Sequence, residues 1–255
     1  MRRMFCHMWA ALLFFTRLPL WRLKEVPSES FKHIVPYWPV AGWLTGGVMA
    51  AVLWIAARCF PMEVAWALAL VARLLLTGAL HEDGLADFAD GMGGGHTRER
   101  TLAIMKDSHI GSYGVIALLF YFLLAWQMHR LPLLLLCGVA WAGDVWCKCI
   151  GAQIVNLLPY ARREEESKAH VVYGRMTPSE FVVSWAVGVA APLLWLPSVL
   201  LPALLVPPVV FLWLVGRMRR RLQGYTGDCC GALFLLCELS FYLAVLACFR
   251  WSAVP

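Results

Sequence analysis

The stretch HEDGLADFADGMGGGHTRERTLAIMKDSHIGSYG, residues 81–114, decides how this chain is read. It carries six of the sixteen acidic residues of a protein in which 15% of residues are charged, and apolar runs flank it on both sides. Continued as a helix over 81–91, the spacing sets Asp83, Asp87 and Asp90 on one face at i, i+4 and i+7, with Glu82 about 100° to one side. Like charges stacked this way repel and weaken an isolated helix, so the pattern calls for a positive counter-charge. Hard dications take carboxylate oxygens, and Mg²⁺ binds one or two of them together with substrate phosphates. The reading therefore assigns Asp83, Asp87 and Asp90 to a site for one or two ions, with positions open for a diphosphate. The glycines that follow, Gly91 and Gly93 to Gly95, are expected to end the helix and to let the backbone approach a bulky ligand, with Gly94 and Gly95 in the substrate site.

Outside this stretch, 61% hydrophobic residues and a mean hydropathy of +0.67 exclude an ordinary soluble domain. Apolar runs near residues 34–57, 62–80, 111–129, 131–150, 179–197, 199–216 and 229–249 each approach the roughly 20 residues that cross a bilayer. Residues 4–20 are also apolar, but His7, Arg17 and Pro19 interrupt them, which suits an interfacial or re-entrant helix better than a span. The expected fold is thus all-α: a polytopic membrane helical bundle of about seven spans plus that N-terminal helix, forming a single integral-membrane domain over 1–255. Prolines 192, 197, 202, 207 and 208 should kink or shorten spans five and six. Of the nine cysteines, seven lie in or beside apolar runs, where free thiols act as small hydrophobes; Cys147/Cys149 and Cys229/Cys230 lack zinc-site spacing. The net charge of +6 is better explained by cytoplasmic loops than by nucleic acid. Seventeen of the 22 Lys and Arg residues fall in the N-terminal region and the loops after spans two, four and six, which the positive-inside rule places in the cytoplasm.

Other polar residues follow from their positions. Lys106 can act as a point charge on phosphate, and Asp107 can add a ligand or accept a hydroxyl proton; a membrane-flanking Lys–Asp pair is the plainer alternative. Arg73, Asp144 and Lys148 are the ionisable groups this reading places within spans. Asp144 and Lys148, at i and i+4, are assigned to each other, and Arg73 is left between a structural and a substrate role. Arg162 and Arg163, followed by Glu164 to Glu166, offer planar forks for phosphate. Asp228, at the start of span seven, could join the acidic site, and His81, His96 and His109 are too scattered for zinc.

Thr77 to Gly114, with FTRLP at 15–19, LPYAR at 158–162 and GYTGD at 224–228, closely resembles the cobalamin synthase family, the adenosylcobinamide-GDP ribazoletransferases. The motifs cover nearly the whole chain in family order. The resemblance implies joining of adenosylcobinamide-GDP to α-ribazole or its 5′-phosphate, giving adenosylcobalamin or its phosphate with release of GMP. It implies Mg²⁺, with Mn²⁺ as a substitute, and the bacterial cytoplasmic (inner) membrane, the active site facing the cytoplasm. The family's acidic motif falls on Glu82, Asp83, Asp87 and Asp90, which the resemblance implies as the metal site; taken with the residue reading, Asp107 is the base, Lys106, Arg162 and Arg17 hold phosphate, and homo-oligomerisation is left open. A CDP-alcohol-type phosphotransferase is the nearest rival, but its core demands arginine after the alanine that here is Ala86, where Asp87 stands. A carboxylate-site cation transporter needs ionisable groups along a path through the membrane, and the acids here cluster at one face.

The charge distribution makes a direct prediction. Cysteines introduced near 96, 167 and 223 in a thiol-free background should be labelled only from the cytoplasm. Labelling at 96 from outside intact cells would sink the seven-span reading.

Overall fold

Gly78 and Ala79 break the path of the chain where the acidic stretch begins. The computed structural model describes residues 2–162 and 173–252, and both of these residues take left-handed backbone conformations, with φ of 67° and 56°. Glycine adopts that conformation without cost, whereas alanine is strained by its Cβ. A Cβ on Gly78 would also sit 2.0 Å from Arg17 Nε, and the Arg17 backbone N–H donates to Leu76 O at 2.7 Å. The result is an elbow of 88° between α3 (Met62–Thr77) and α4 (Leu80–Gly94). The acidic stretch therefore does not continue span two, as its periodicity suggested. It turns into a separate helix.

The remaining helices are α1 (Arg2–Phe15), α2 (Trp38–Ala56), α5 (Arg98–Lys106), α6 (Ser112–Trp126), α7 (Leu133–Ala152), α8 (Ile154–Leu157), α9 (Pro178–Trp195), α10 (Val206–Leu222) and α11 (Gly227–Ser252). Short 3-10 turns, among them Ser28–His33, lead from α1 to α2, and a 3-10 segment Ser198–Leu205 precedes α10. Among the described residues six helical stretches are long and apolar enough to cross a membrane, and the bent α3–α4 pair makes a seventh if it is one span. The chain is thus a multi-pass membrane helical bundle, as its composition required. At 14 residues α1 spans about 21 Å, short of the roughly 30 Å hydrocarbon core. The proline-rich region behaves as its chemistry dictates: Pro192 lies inside the last turn of α9, Pro202 inside the 3-10 segment, and Pro207 in the first turn of α10. All nine cysteines are free thiols.

Small residues let the helices close on one another, as expected where lipid gives no hydrophobic drive to helix association. α2 packs most extensively on α7, where a Cβ on Gly42 would lie 2.9 Å from the Val145 backbone and one on Gly46 3.0 Å from that of Trp141. α4 lies against α11 through Gly84 and Gly231, whose added Cβ atoms would come within 3.0 Å of Asp228 O and 2.8 Å of His81 O. Any larger side chain at either position would push the acidic helix off α11.

A buried ionic network fixes the interior. Arg73 Nη1 lies 2.5 Å from Glu238 Oε1 and Nη2 donates to the Tyr121 hydroxyl at 2.6 Å; Glu82 and Asp144 stand 3.5 and 3.7 Å away. Tyr121 and Tyr242 donate to the two Glu238 oxygens at 2.5 and 3.0 Å. Asp144 pairs with Lys148 as the spacing anticipated, and Thr45 bridges them. Glu238 corrects the sequence reading, which counted only Arg73, Asp144 and Lys148 inside spans: it lies in the middle of α11 with no exposed surface. Arg73 is accordingly a structural cation.

Truncating Glu238 leaves Arg73 with its closest partner gone. Glu238→Ala should lower stability by about 3–5 kcal/mol, read as a fall in the melting temperature of the detergent-purified protein. Tyr242→Phe, which keeps the ion pair, should lower it far less. Equal melting of Glu238→Ala and the parent would remove the network from its structural role.

Candidate active site

Two loops distant in sequence are zipped together at one end of the bundle. Ala161 N–H donates to Tyr225 O at 2.8 Å and Tyr225 N–H to Pro159 O at 3.0 Å, a parallel bridge joining LPYAR to GYTGD. Gly224 is required there, because its Cβ would stand 2.6 Å from Pro159 O. Arg98 on α5 ties the same loops down, donating to Leu222 O at 2.8 Å and to Ala161 O at 2.7 Å. This carries Arg162 to the first turn of α11, where its Nη1 lies 3.8 Å from Asp228 Oδ2 and its Nη2 donates to Leu102 O at 3.0 Å. Thr226 Oγ1 donates to Asp228 at 3.2 Å and orients it.

Because Gly84 seats α4 on α11, Asp83 faces the same place. Asp83, Asp228 and Arg162 line one cavity together with His81, and Phe14, Phe15, Trp38, Tyr160 and Tyr173 form its aromatic wall. An apolar wall around a few convergent charged groups is the usual make-up of a small-molecule site. Asp83 is exposed to it, whereas Arg162 and Asp228 are almost wholly buried.

The other residues singled out in the sequence divide sharply. Asp87 lies one turn further along α4, largely buried. Glu82 turns inward to Arg73. Asp90 caps α6: its carboxylate accepts the N–H groups of Gly111 at 2.7 Å and Gly114 at 2.9 Å, satisfying donors that a helix start otherwise leaves orphaned. Both must be glycine, since a Cβ on either would come within 2.5 Å of Asp90. The glycine run also departs from expectation. The helix passes through Gly91 and Gly93 and ends only at Gly94–Gly95, and the missing side chains make room for Met105, Tyr113 and Thr101 of neighbouring segments. Gly94 and Gly95 therefore serve the packing of α5 on α4.

Lys106 ends α5 and is exposed, and neither it nor Asp107, Gly94, Gly95 or Arg17 lines the cavity. Asp107 accepts from the His109 backbone N–H at 3.0 Å and contacts its Nδ1 at 2.7 Å. The side-chain contact to His109 holds its carboxyl below the ordinary range, which weakens it as a base. Arg17 packs over the elbow at Gly78. Arg163, the Glu164–Glu166 run and Lys168 lie outside the described residues.

Sequence reasoning missed the aromatic wall and His81. Tyr160 was within reach, since it sits inside a motif already noted. Phe14, Phe15 and Trp38 look like ordinary apolar residues until the fold gathers them. His81 packs edge-on against Phe234 with ring centroids 4.8 Å apart, and neither of its ring nitrogens has a hydrogen-bond partner.

A family model described as cobalamin-5-phosphate synthase matches residues 7–246. A protein of Ralstonia pickettii (strain 12J), named adenosylcobinamide-GDP ribazoletransferase, is 38% identical over 248 residues, 94% of each chain. Proteins of the same name from Shewanella amazonensis and Shewanella frigidimarina are 39% and 36% identical, over 95% and 93% of this chain and 94% and 92% of their own. No solved structure matches. With similarity running from the first helix to the last, and with EDGLAD, LPYAR and GYTGD converging on one cavity, the chain belongs to the cobalamin-5-phosphate synthase family.

Proposed function

We propose that this chain is an adenosylcobinamide-GDP ribazoletransferase acting at the cytoplasmic face of a bacterial inner membrane. The observation that carries the reading is the convergence of Asp83, Asp228 and Arg162, from three separate parts of the chain, on one aromatic-walled cavity. The family membership and the names of the relatives support the activity, and the bias of basic residues supports the orientation.

The reaction moves a phosphoryl-linked cobinamide from GMP to a ribose hydroxyl of α-ribazole or its phosphate. A new oxygen–phosphorus bond forms as the bond to the GMP oxygen breaks, and the hydroxyl proton must leave. Arg162 is anchored through Leu102 O and has its other nitrogen directed at Asp228, so it can turn a planar fork to a phosphate oxygen with little reorganisation. Asp228, which lines the same cavity, is placed to accept the hydroxyl proton, a role for which exposed Asp107, outside the cavity, is badly placed. The aromatic side chains exclude water, which would otherwise compete as acceptor.

The donor set fits Mg²⁺. Asp83 offers carboxylate oxygens to the cavity and Asp87 follows at i+4, whereas Asp90 is committed to α6 and Glu82 to Arg73. We assign the ion to Asp83, on the cavity wall, and to Asp87, one turn along the same face of α4. When bound, Mg²⁺ or Mn²⁺ would offset negative charge on the diphosphate.

Turnover of purified protein, followed as GMP released from adenosylcobinamide-GDP and α-ribazole, should vanish in EDTA and return with Mg²⁺ or Mn²⁺; full activity in EDTA would leave the two aspartates without their ion. Asp83→Asn and Asp228→Asn should each cost about 10²–10³ in kcat with normal melting, whereas Asp107→Asn should keep most of its turnover. Asp90→Asn should act through folding, lowering stability by about 0.5–2 kcal/mol as a lost cap, and an unchanged melting temperature there would count against the assignment.

A further inference from the structure

A cluster outside the cavity has the chemistry of a different ion. Glu180, in the first turn of α9, uses one carboxylate oxygen for a capping box: Oε2 accepts from the Thr177 backbone N–H at 2.8 Å and from its hydroxyl at 3.0 Å. Its other oxygen, Oε1, lies 2.9 Å from His33 Nδ1 and 3.5 Å from His7 Nδ1. One ligand atom from each of the three residues falls within 4.8 Å of the others; the two imidazoles stack in parallel, centroids 4.8 Å apart and planes 7° off, so one ring must turn for both to face a shared ion. His33 Nδ1 is buried yet makes no well-formed hydrogen bond, so its approach to Glu180 is a close contact without a satisfied donor and acceptor.

We propose that His7, His33 and Glu180 form a second metal site, selective for a transition-metal dication of the zinc class and separate from the site of the transfer reaction. Zinc bonds imidazole nitrogen and carboxylate oxygen at about 2.0–2.2 Å, so its ligand atoms stand about 3.3 Å apart in a tetrahedron. The 2.9 and 3.5 Å separations bracket that figure. Imidazole ligands favour zinc, cobalt or nickel over Mg²⁺, which prefers oxygen. Three protein ligands leave a fourth position for water, supplied by an adjoining cleft of about 1000 Å³. Of the other charged groups there, Glu29 is contacted by Lys32 at 3.4 Å, and Arg3 lines the cleft without reaching the carboxylate as an ion pair.

The site would clamp three elements: α1, the turn Ser28–His33 and the start of α9. Phe14 and Phe15 of the cavity wall lie on α1 only about 12 Å beyond His7, at 1.5 Å per residue. Metal here would hold the aromatic wall in place without entering the chemistry.

Tag-free protein in detergent, stripped of metal and titrated with Zn²⁺ or Co²⁺, should bind one equivalent, with Co²⁺ giving the visible absorption of a four-coordinate ion and Zn²⁺ raising the melting temperature. Excess Mg²⁺ should displace neither. Glu180→Gln retains the capping box, since glutamine serves at N3 as glutamate does, and it should lose both signals, as should His33→Asn. Asp83→Asn should keep both, which separates this site from the one proposed for Mg²⁺. Failure of the parent protein to take up an equivalent of Zn²⁺, or cobalt spectra unchanged in Glu180→Gln and His33→Asn, would overturn the proposal.

Discussion

One guanidinium holds the bundle together. Arg73 projects from α3 and meets Glu238 of α11, Tyr121 of α6, Glu82 of α4 and Asp144 of α7, and Asp144 in turn reaches Lys148 and Thr45 of α2. Six helices therefore share one set of charges. Taking an arginine out of water costs several kcal/mol, so the arrangement holds only while its partners stay within reach. Aliphatic packing would tolerate sliding of these helices along one another. A hydrogen-bonded ionic network has few acceptable registers, and the bundle is set to one of them.

The cavity depends on that register. α4 is short and half polar, and its place comes from Glu82 on one side, the Gly84–Gly231 contact on α11, and Asp90 on the start of α6. With those three fixed, Asp83 lies on the wall of the cavity that Arg162 and Asp228 also line. The carboxylates of the acidic helix thus meet different surroundings. Those surroundings explain much of why so many acids occur together: Glu82 answers a buried cation, Asp90 answers two orphaned N–H groups, and Asp83 lines the cavity. Glycine has a matching role, since the residues that resemble a ligand-binding run are where α5 and α6 close on α4.

Much of this was legible in the sequence. Hydropathy and length specified a membrane bundle, because a bilayer leaves helices few alternatives. The spacing of Asp144 and Lys148 gave their pairing, which is local to one helix. EDGLAD, LPYAR and GYTGD pointed to the residues that meet in the cavity and to the family. Helical periodicity could also place Asp83, Asp87 and Asp90 on one face, and they are on one helix.

Only the tertiary structure decided what each carboxylate faces. The same face runs past the cavity at Asp83 and past the α6 N-terminus at Asp90, and periodicity does not report the neighbour at each turn. The elbow was hidden because Ala79 is a poor sequence signal for a left-handed residue, and the apolar run before it reads straight on. Glu238 sat unnoticed in a hydrophobic span, since its meaning lies in Arg73, 165 residues away. The His7, His33 and Glu180 cluster was equally invisible, drawn as it is from three elements that only packing brings together. Composition and local spacing fix what the chain is made of and which segments are helices. Which charge meets which is a property of helix register, and that is set by contacts between residues far apart in the chain.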